Sequence, residues 1–123
     1  MRYEVTDADT ATTVGSGDVP VLATPRLIAW LEAATMEAAA PFAGAGRTSV
    51  GTAVRIRHLR ASRVGETVEV TAQPPSVADG RRLTFAVQAV DGSGHLIATG
   101  EIDRTVVDRE RFLAAVSAPG GER

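Results

Sequence analysis

Cysteine is absent from this 123-residue chain, and so is lysine: all thirteen basic residues are arginine. Without a thiol there is no disulfide, thiolate nucleophile or thiolate metal site. Without lysine no Schiff base can form on a side-chain amine. Two histidines, His58 and His95, exclude a histidine-rich metal centre but leave a mixed histidine and carboxylate set open. The formal net charge of −2 gives no electrostatic footprint for nucleic acid or an anionic membrane. No apolar run approaches the roughly 18–20 residues that span a bilayer, and the first residues are not a basic-then-apolar leader. The expected location is therefore the cytoplasm. Carboxylates, hydroxyls, two imidazoles and backbone dipoles are what remains for chemistry.

The length fits one domain over residues 1–123. Residues 1–6 can form a short strand, and residues 7–22, rich in Asp, Thr, Gly and Ser, form an ordered loop or lid. The apolar stretch beginning ATPRLIAWLE predicts a central helix over 24–40, with Thr24 as N-cap and Pro25 in the first turn. Pro41 should end it, because the residue before a proline is pushed out of the helical region. From Ser49 the period changes to 2, giving a sheet over 49–107. Val50, Thr52, Val54, Ile56 and His58 fall on one face of its first strand. Strands over 66–73, 81–90 and 95–107 follow, with turns at Asp79-Gly80 and Asp91–Gly94. A short helix over 108–116 and a frayed tail over 117–123 complete the chain. One long apolar helix and a run of antiparallel strands predict an α+β chain, with the helix wrapped by a curved antiparallel β-sheet. That is the hot-dog fold, although another α+β roll has the same element order. Open sheet edges favour a homodimer.

Several polar residues interrupt the apolar pattern. Glu32 sits among Ile28, Trp30, Leu31, Ala33 and Ala34. It is either on a wet side of the helix with Glu37, or a part-buried acid suited to general base or acid work. His58, in phase with Val54 and Ile56, is either a satisfied core or edge histidine or a proton partner for Glu32. Arg104 is in phase with Leu96, Ala98, Ile102 and Val106, as an edge arginine extending to water or one aimed at an anion. Gly51 marks a bulge, or a close backbone approach that frees an N–H to polarise a carbonyl. His95 is out of phase and solvated. Thr24 and Glu32, eight residues apart, lie about 12 Å apart along a straight helix and cannot bond directly. A joint role needs an intervening group, a later helix start or a second protomer.

The segments ATPRLIAWLE (23–32), APF (40–42), SVGTAVRIRHLRAS (49–62), ADGRRLTF (78–85) and TGEIDRTVVDRERF (99–112) resemble the fluoroacetyl-CoA thioesterase family, hot-dog enzymes that hydrolyse acyl-CoA thioesters. The resemblance runs from about Val19 to Phe112 and includes the spacing of Thr24, Glu32, Gly51 and His58. It implies catalytic roles for Thr24, Glu32 and His58, and substrate binding by Gly51 and Arg104. It also implies a homodimer with sites at the subunit interface, no metal, and no cofactor beyond coenzyme A carried in as part of the substrate. The family's fluoroacetyl-specific enzyme carries phenylalanines in its lid, whereas residues 10–22 here contain no aromatic. That counts against fluoroacetyl selectivity and for a short or medium acyl-CoA. A non-catalytic protein that holds acyl-CoA or another small ligand, and a hydratase or dehydratase on the same fold, are the alternatives.

Overall fold

The computed structural model describes residues 1–117, apart from the side chain of Val77. Strand β1 (Arg2–Glu4) is followed by a 3₁₀ turn (Asp7–Asp9), a short helix α1 (Ala11–Val14) and the long helix α2 (Thr24–Ala43). Strands β2 (Arg47–His58), β3 (Thr67–Ala72), β4 (Val77–Asp79), β5 (Arg82–Asp91) and β6 (Leu96–Asp108) follow, then helix α3 (Arg109–Ser117). Of the frayed tail expected over 117–123, Ser117 belongs to α3 and the rest lies outside the described residues. Among the described residues no helix is long and apolar enough to cross a membrane.

Buried residues recur along α2 at helical spacing: Leu27, Trp30, Leu31, Ala34, Thr35, Ala39 and Ala43. They pack on Val68, Val70, Phe85, Ile97 and Ile102 of the sheet, which curls around the helix. Tyr3 of β1 stacks on Trp30 with ring centroids 4.4 Å apart, tying the first strand to the same core. The sheet order is β1-β3-β5-β6-β2, antiparallel throughout, with β4 hairpinned onto β5. Consecutive strands are therefore not all neighbours. β2 pairs with β6 rather than β3 and leaves one edge open.

Four local expectations are corrected. The N-cap is Ala23 and Thr24 is the first helical residue, so the Thr24 hydroxyl caps nothing. The helix runs through Pro41 to Ala43 and stops at Gly44, whose φ is 84°. In the last turn the proline removes only one helical hydrogen bond, while Ala39 and Ala43 on either side of it are held in the core. In β2 the register skips Thr52, because Gly51 pairs with Arg104 and Ala53 with Asp103. This bulge inverts the alternation, so Ser49 and Gly51 share the helix-facing side with Val54, Ile56 and His58, and Val50 turns outward. In β6 a second irregularity, opposite Ala89 and Val90, buries Ile97 beside Ala98 and leaves Leu96 41% exposed.

Gly100 of β6 lies against the β2 backbone with no room for a side chain. A Cβ there would overlap the Arg55 carbonyl oxygen and lie 2.9 Å from the Ile56 Cα, and backbone cannot step aside as a flexible side chain can. Gly100→Ala is expected to destabilise the fold by about 1–3 kcal/mol, in the range of core overpacking. Thermal unfolding monitored by circular dichroism measures it, and a midpoint equal to wild type would contradict this packing.

Candidate active site

The N-terminus of α2 meets the far end of β2. Thr24 Oγ1 and His58 Nδ1 share a hydrogen bond of 2.7 Å. The hydroxyl is free for this because Thr24 is inside the helix rather than at its cap. His58 Nε2 is buried, and among the described residues it has no hydrogen-bond partner. Burial holds the imidazole below its ordinary pKa of 6.5, with the Arg60 backbone partly offsetting the effect. A neutral ring results at pH 7, able to take a proton on one nitrogen and give one from the other.

Two turns along the helix a second group of polar side chains gathers. Glu32 is half-buried and its carboxylate lies over Gly51, where a Cβ would overlap Oε2. The absent side chain is thus what admits the carboxylate to the sheet. Arg104, opposite Gly51 on β6, is only 6% exposed. Its Nε donates to Ser49 Oγ at 2.8 Å, Nη2 to the Ser49 carbonyl at 3.0 Å and Nη1 to Thr35 Oγ1 at 3.4 Å. Thr35 Oγ1 in turn donates to the Glu32 carbonyl at 2.8 Å. Burial lowers the Arg104 pKa, the Glu32 charge opposes that fall, and a guanidinium stays ionised under both.

The candidate residues therefore form two groups within one chain. Thr24 joins His58, and Glu32 joins Gly51 and Arg104. The expected pairing of His58 with Glu32 does not form inside the protomer. His58 and Gly51, the residue under the Glu32 carboxylate, pair with Ala98 and Arg104, which are roughly 20 Å apart along β6 at about 3.3 Å per residue. Arg104 does not extend to water, since all three of its nitrogens are bonded within the chain. Ser49 and Thr35 escaped the sequence reading. Thr35 lies one turn beyond Glu32 and could have been found once Arg104 was taken as buried, whereas Ser49 reaches the helix side only through the bulge. His95 is exposed and shares a 3.1 Å contact with Asp91.

Two cavities adjoin these groups. One of about 340 Å³ is lined by Ala11, Val19, Val21 and Leu22 of the segment before α2, together with Thr24 and His58. That segment is ordered, held by bridges between Thr10 and Leu22 and between Val21 and Arg63. The other, of about 370 Å³, is lined by Met36, Glu37, Arg47, Ser49 and Arg109 among others.

Known proteins resemble this chain in both sequence and fold. Residues 5–110 match the family model described as FlK, fluoroacetyl-CoA-specific thioesterase. The chain is 41% identical over 96 residues to a fluoroacetyl-CoA thioesterase of Streptantibioticus cattleyicolor, covering 78% of this chain and 68% of that protein. A crystal structure of a mutant FlK in complex with fluoroacetate and CoA superposes with a TM-score of 0.85 at 32% identity, covering 94% of each chain. A Thermus thermophilus hypothetical protein of the thioesterase superfamily superposes with a TM-score of 0.85 at 28% identity, over 93% of this chain and 83% of that one. A hot-dog-like protein from Thermanaerovibrio acidaminovorans, at 24% identity and a TM-score of 0.80, covers 100% of this chain and 90% of that one and shares the fold. The chain belongs to the fluoroacetyl-CoA-specific thioesterase family and is a thioester hydrolase on a hot-dog scaffold.

Proposed function

We propose that the protein is a cytoplasmic homodimer that hydrolyses short or medium acyl-CoA thioesters. Thr24 and His58 of one protomer and Glu32, Gly51 and Arg104 of its partner make up each site. The observation that carries this reading is the division of the polar groups. Each half holds chemistry that is incomplete alone, and the open edge of β2 offers a route for a second copy to join the halves.

In this reading the thioester carbonyl lies beside Gly51, where an N–H at or near the bulge stabilises the oxyanion. Loss of one such donor elsewhere costs about 10²–10³ in rate. Glu32 either activates water, or the Thr24 hydroxyl, as a base, or attacks directly to give a transient anhydride that water then opens. His58 relays a proton, taking one at Nδ1 through the Thr24 hydroxyl as Nε2 gives one to the departing thiolate, so the ring ends neutral. Arg104 acts by holding its charge beside Glu32, because its hydrogen bonds are already made within the chain. This differs from the substrate-binding role implied by resemblance. The acyl chain enters the 340 Å³ cavity under residues 7–22, a lid with no aromatic ring in the cavity wall.

Release of free thiol from a panel of acyl-CoA esters tests the reading, and no release from any member would end it. The same assay gives a pH profile. Since burial keeps His58 neutral to below pH 6.5, kcat/KM is expected to hold from neutrality down to that region. It should then fall as imidazolium forms. The sign for stability agrees: the unfolded state takes up its proton first, so this contribution is present above 6.5 and is lost as pH falls through the folded value. His58→Gln should remove this limb from the residual activity, and a limb that survives would assign it elsewhere.

A further inference from the structure

Resting on the reading above, a coenzyme A ester brings a phosphate-rich nucleotide that some part of this chain has to hold. Arg104 is unsuited to this, being 6% exposed with its nitrogens committed to Ser49 and Thr35. Four other arginines already face carboxylates: Arg2 on Glu69, Arg26 on Asp9, Arg55 on Asp103 and Glu101, and Arg60 on Asp91. Two cavities each present a pair of remaining arginines. A 230 Å³ cavity has Arg81 and Arg111 beside Val107 and Phe112, against the outer side of β6. The 370 Å³ cavity has Arg47 and Arg109.

Only the second of these shares a wall with the Glu32 group. Ser49, which accepts from Arg104, lines it, as do Met36 and Glu37 on the turn after Glu32. Arg47, Ser49 and Gly51 occupy one face of β2 before the bulge, placing Arg47 about 13 Å from Gly51 along that face. Arg109 is brought to the same mouth because Asp108 pairs with Arg47 and the Arg109 N–H donates to the Gly46 carbonyl at 3.0 Å. Among the described residues neither Arg47 nor Arg109 makes a salt bridge. The one carboxylate in the lining is Glu37, and Asp108 accepts from the Arg111 N–H at 3.0 Å. Guanidinium forks match phosphate oxygens in geometry as well as charge.

We propose that Arg47 and Arg109 grip the phosphates of the coenzyme A nucleotide, with the cavity between them and Ser49 leading the pantetheine arm to Glu32. The grip and the chemistry are then separate parts of one cleft.

Calorimetric binding of coenzyme A and of adenosine 3′,5′-bisphosphate to the full chain tests this directly. R47Q/R109Q is expected to weaken both by about tenfold or more, the scale of losing charge-assisted hydrogen bonds. R81Q/R111Q, in the other two-arginine cavity, should bind like wild type. In turnover, R47Q/R109Q should raise KM for an acyl-CoA by a similar factor with kcat near wild type, and leave KM for the matching acyl-pantetheine unchanged. Equal coenzyme A affinity in wild type and R47Q/R109Q overturns the proposal. So does the same loss in R81Q/R111Q, or an equal KM rise on acyl-pantetheine. Coenzyme A binding that depends on these arginines without thiol release would end the hydrolase reading and leave the grip standing. Hydrolysis with an unmoved KM would do the reverse.

Discussion

Glu32→Gln is expected to lower kcat for thioester hydrolysis by about 10²–10⁴-fold, the range for loss of a positioned acid or base. Its thermal midpoint should stay near wild type. Glutamine keeps the length and planarity of the side chain, so it still fits over Gly51 and removes only the charge and its basicity. The surrounding network does not depend on the carboxylate. Arg104 bonds to Ser49 and Thr35, and Thr35 bonds to the Glu32 main chain, which the substitution leaves intact. Arg104 loses a nearby opposite charge but keeps its hydrogen bonds, which separates this case from breaking a buried ion pair. Thiol-release kinetics and a thermal melt on the same preparation give both numbers. Unchanged turnover would remove Glu32 from the chemistry, and collapse of the fold would make it structural.

The large periodic features were legible in the sequence because burial writes them directly. Leu27, Leu31, Val68, Val70 and Phe85 are buried where helical or alternating period put them. The bulge was not, because a skipped residue leaves the composition of the strand unchanged while reversing its faces. Gly51 and His58 are seven residues apart, which in a regular strand sets them on opposite sides. Skipping Thr52 brings both to the helix. Thr24 misled in another way: threonine before proline is a good capping signal, but Ala23 starts the helix and the hydroxyl is taken by His58. Arg104 could be read only as a break in the apolar pattern, since its partners Ser49 and Thr35 come from distant parts of the chain. Neither periodicity nor spacing reveals that a buried guanidinium is bonded entirely to neutral groups.

Mixing two inactive variants is expected to restore activity. If each site joins Thr24 and His58 of one protomer to Glu32 of the other, Glu32→Gln homodimers lack the acid in both sites, and His58→Ala homodimers lack the imidazole in both. A heterodimer of the two has one site with both defects and one with none. Random reassortment of an equal mixture makes half the dimers hybrid, so roughly a quarter of wild-type activity should return. The expectation follows from the distances in a single chain. Thr24 and Glu32 are separated by about 12 Å along α2. His58, bonded to Thr24, is farther still from Gly51 along β2. A site contained in one protomer predicts the opposite, because each hybrid would then carry two singly damaged sites and stay inactive. Unfolding and refolding the mixture together allows the exchange, and tagged subunits confirm that hybrids have formed. Hybrids with no recovered turnover would place the whole reaction within one chain and require α2 and β2 to rearrange when substrate binds.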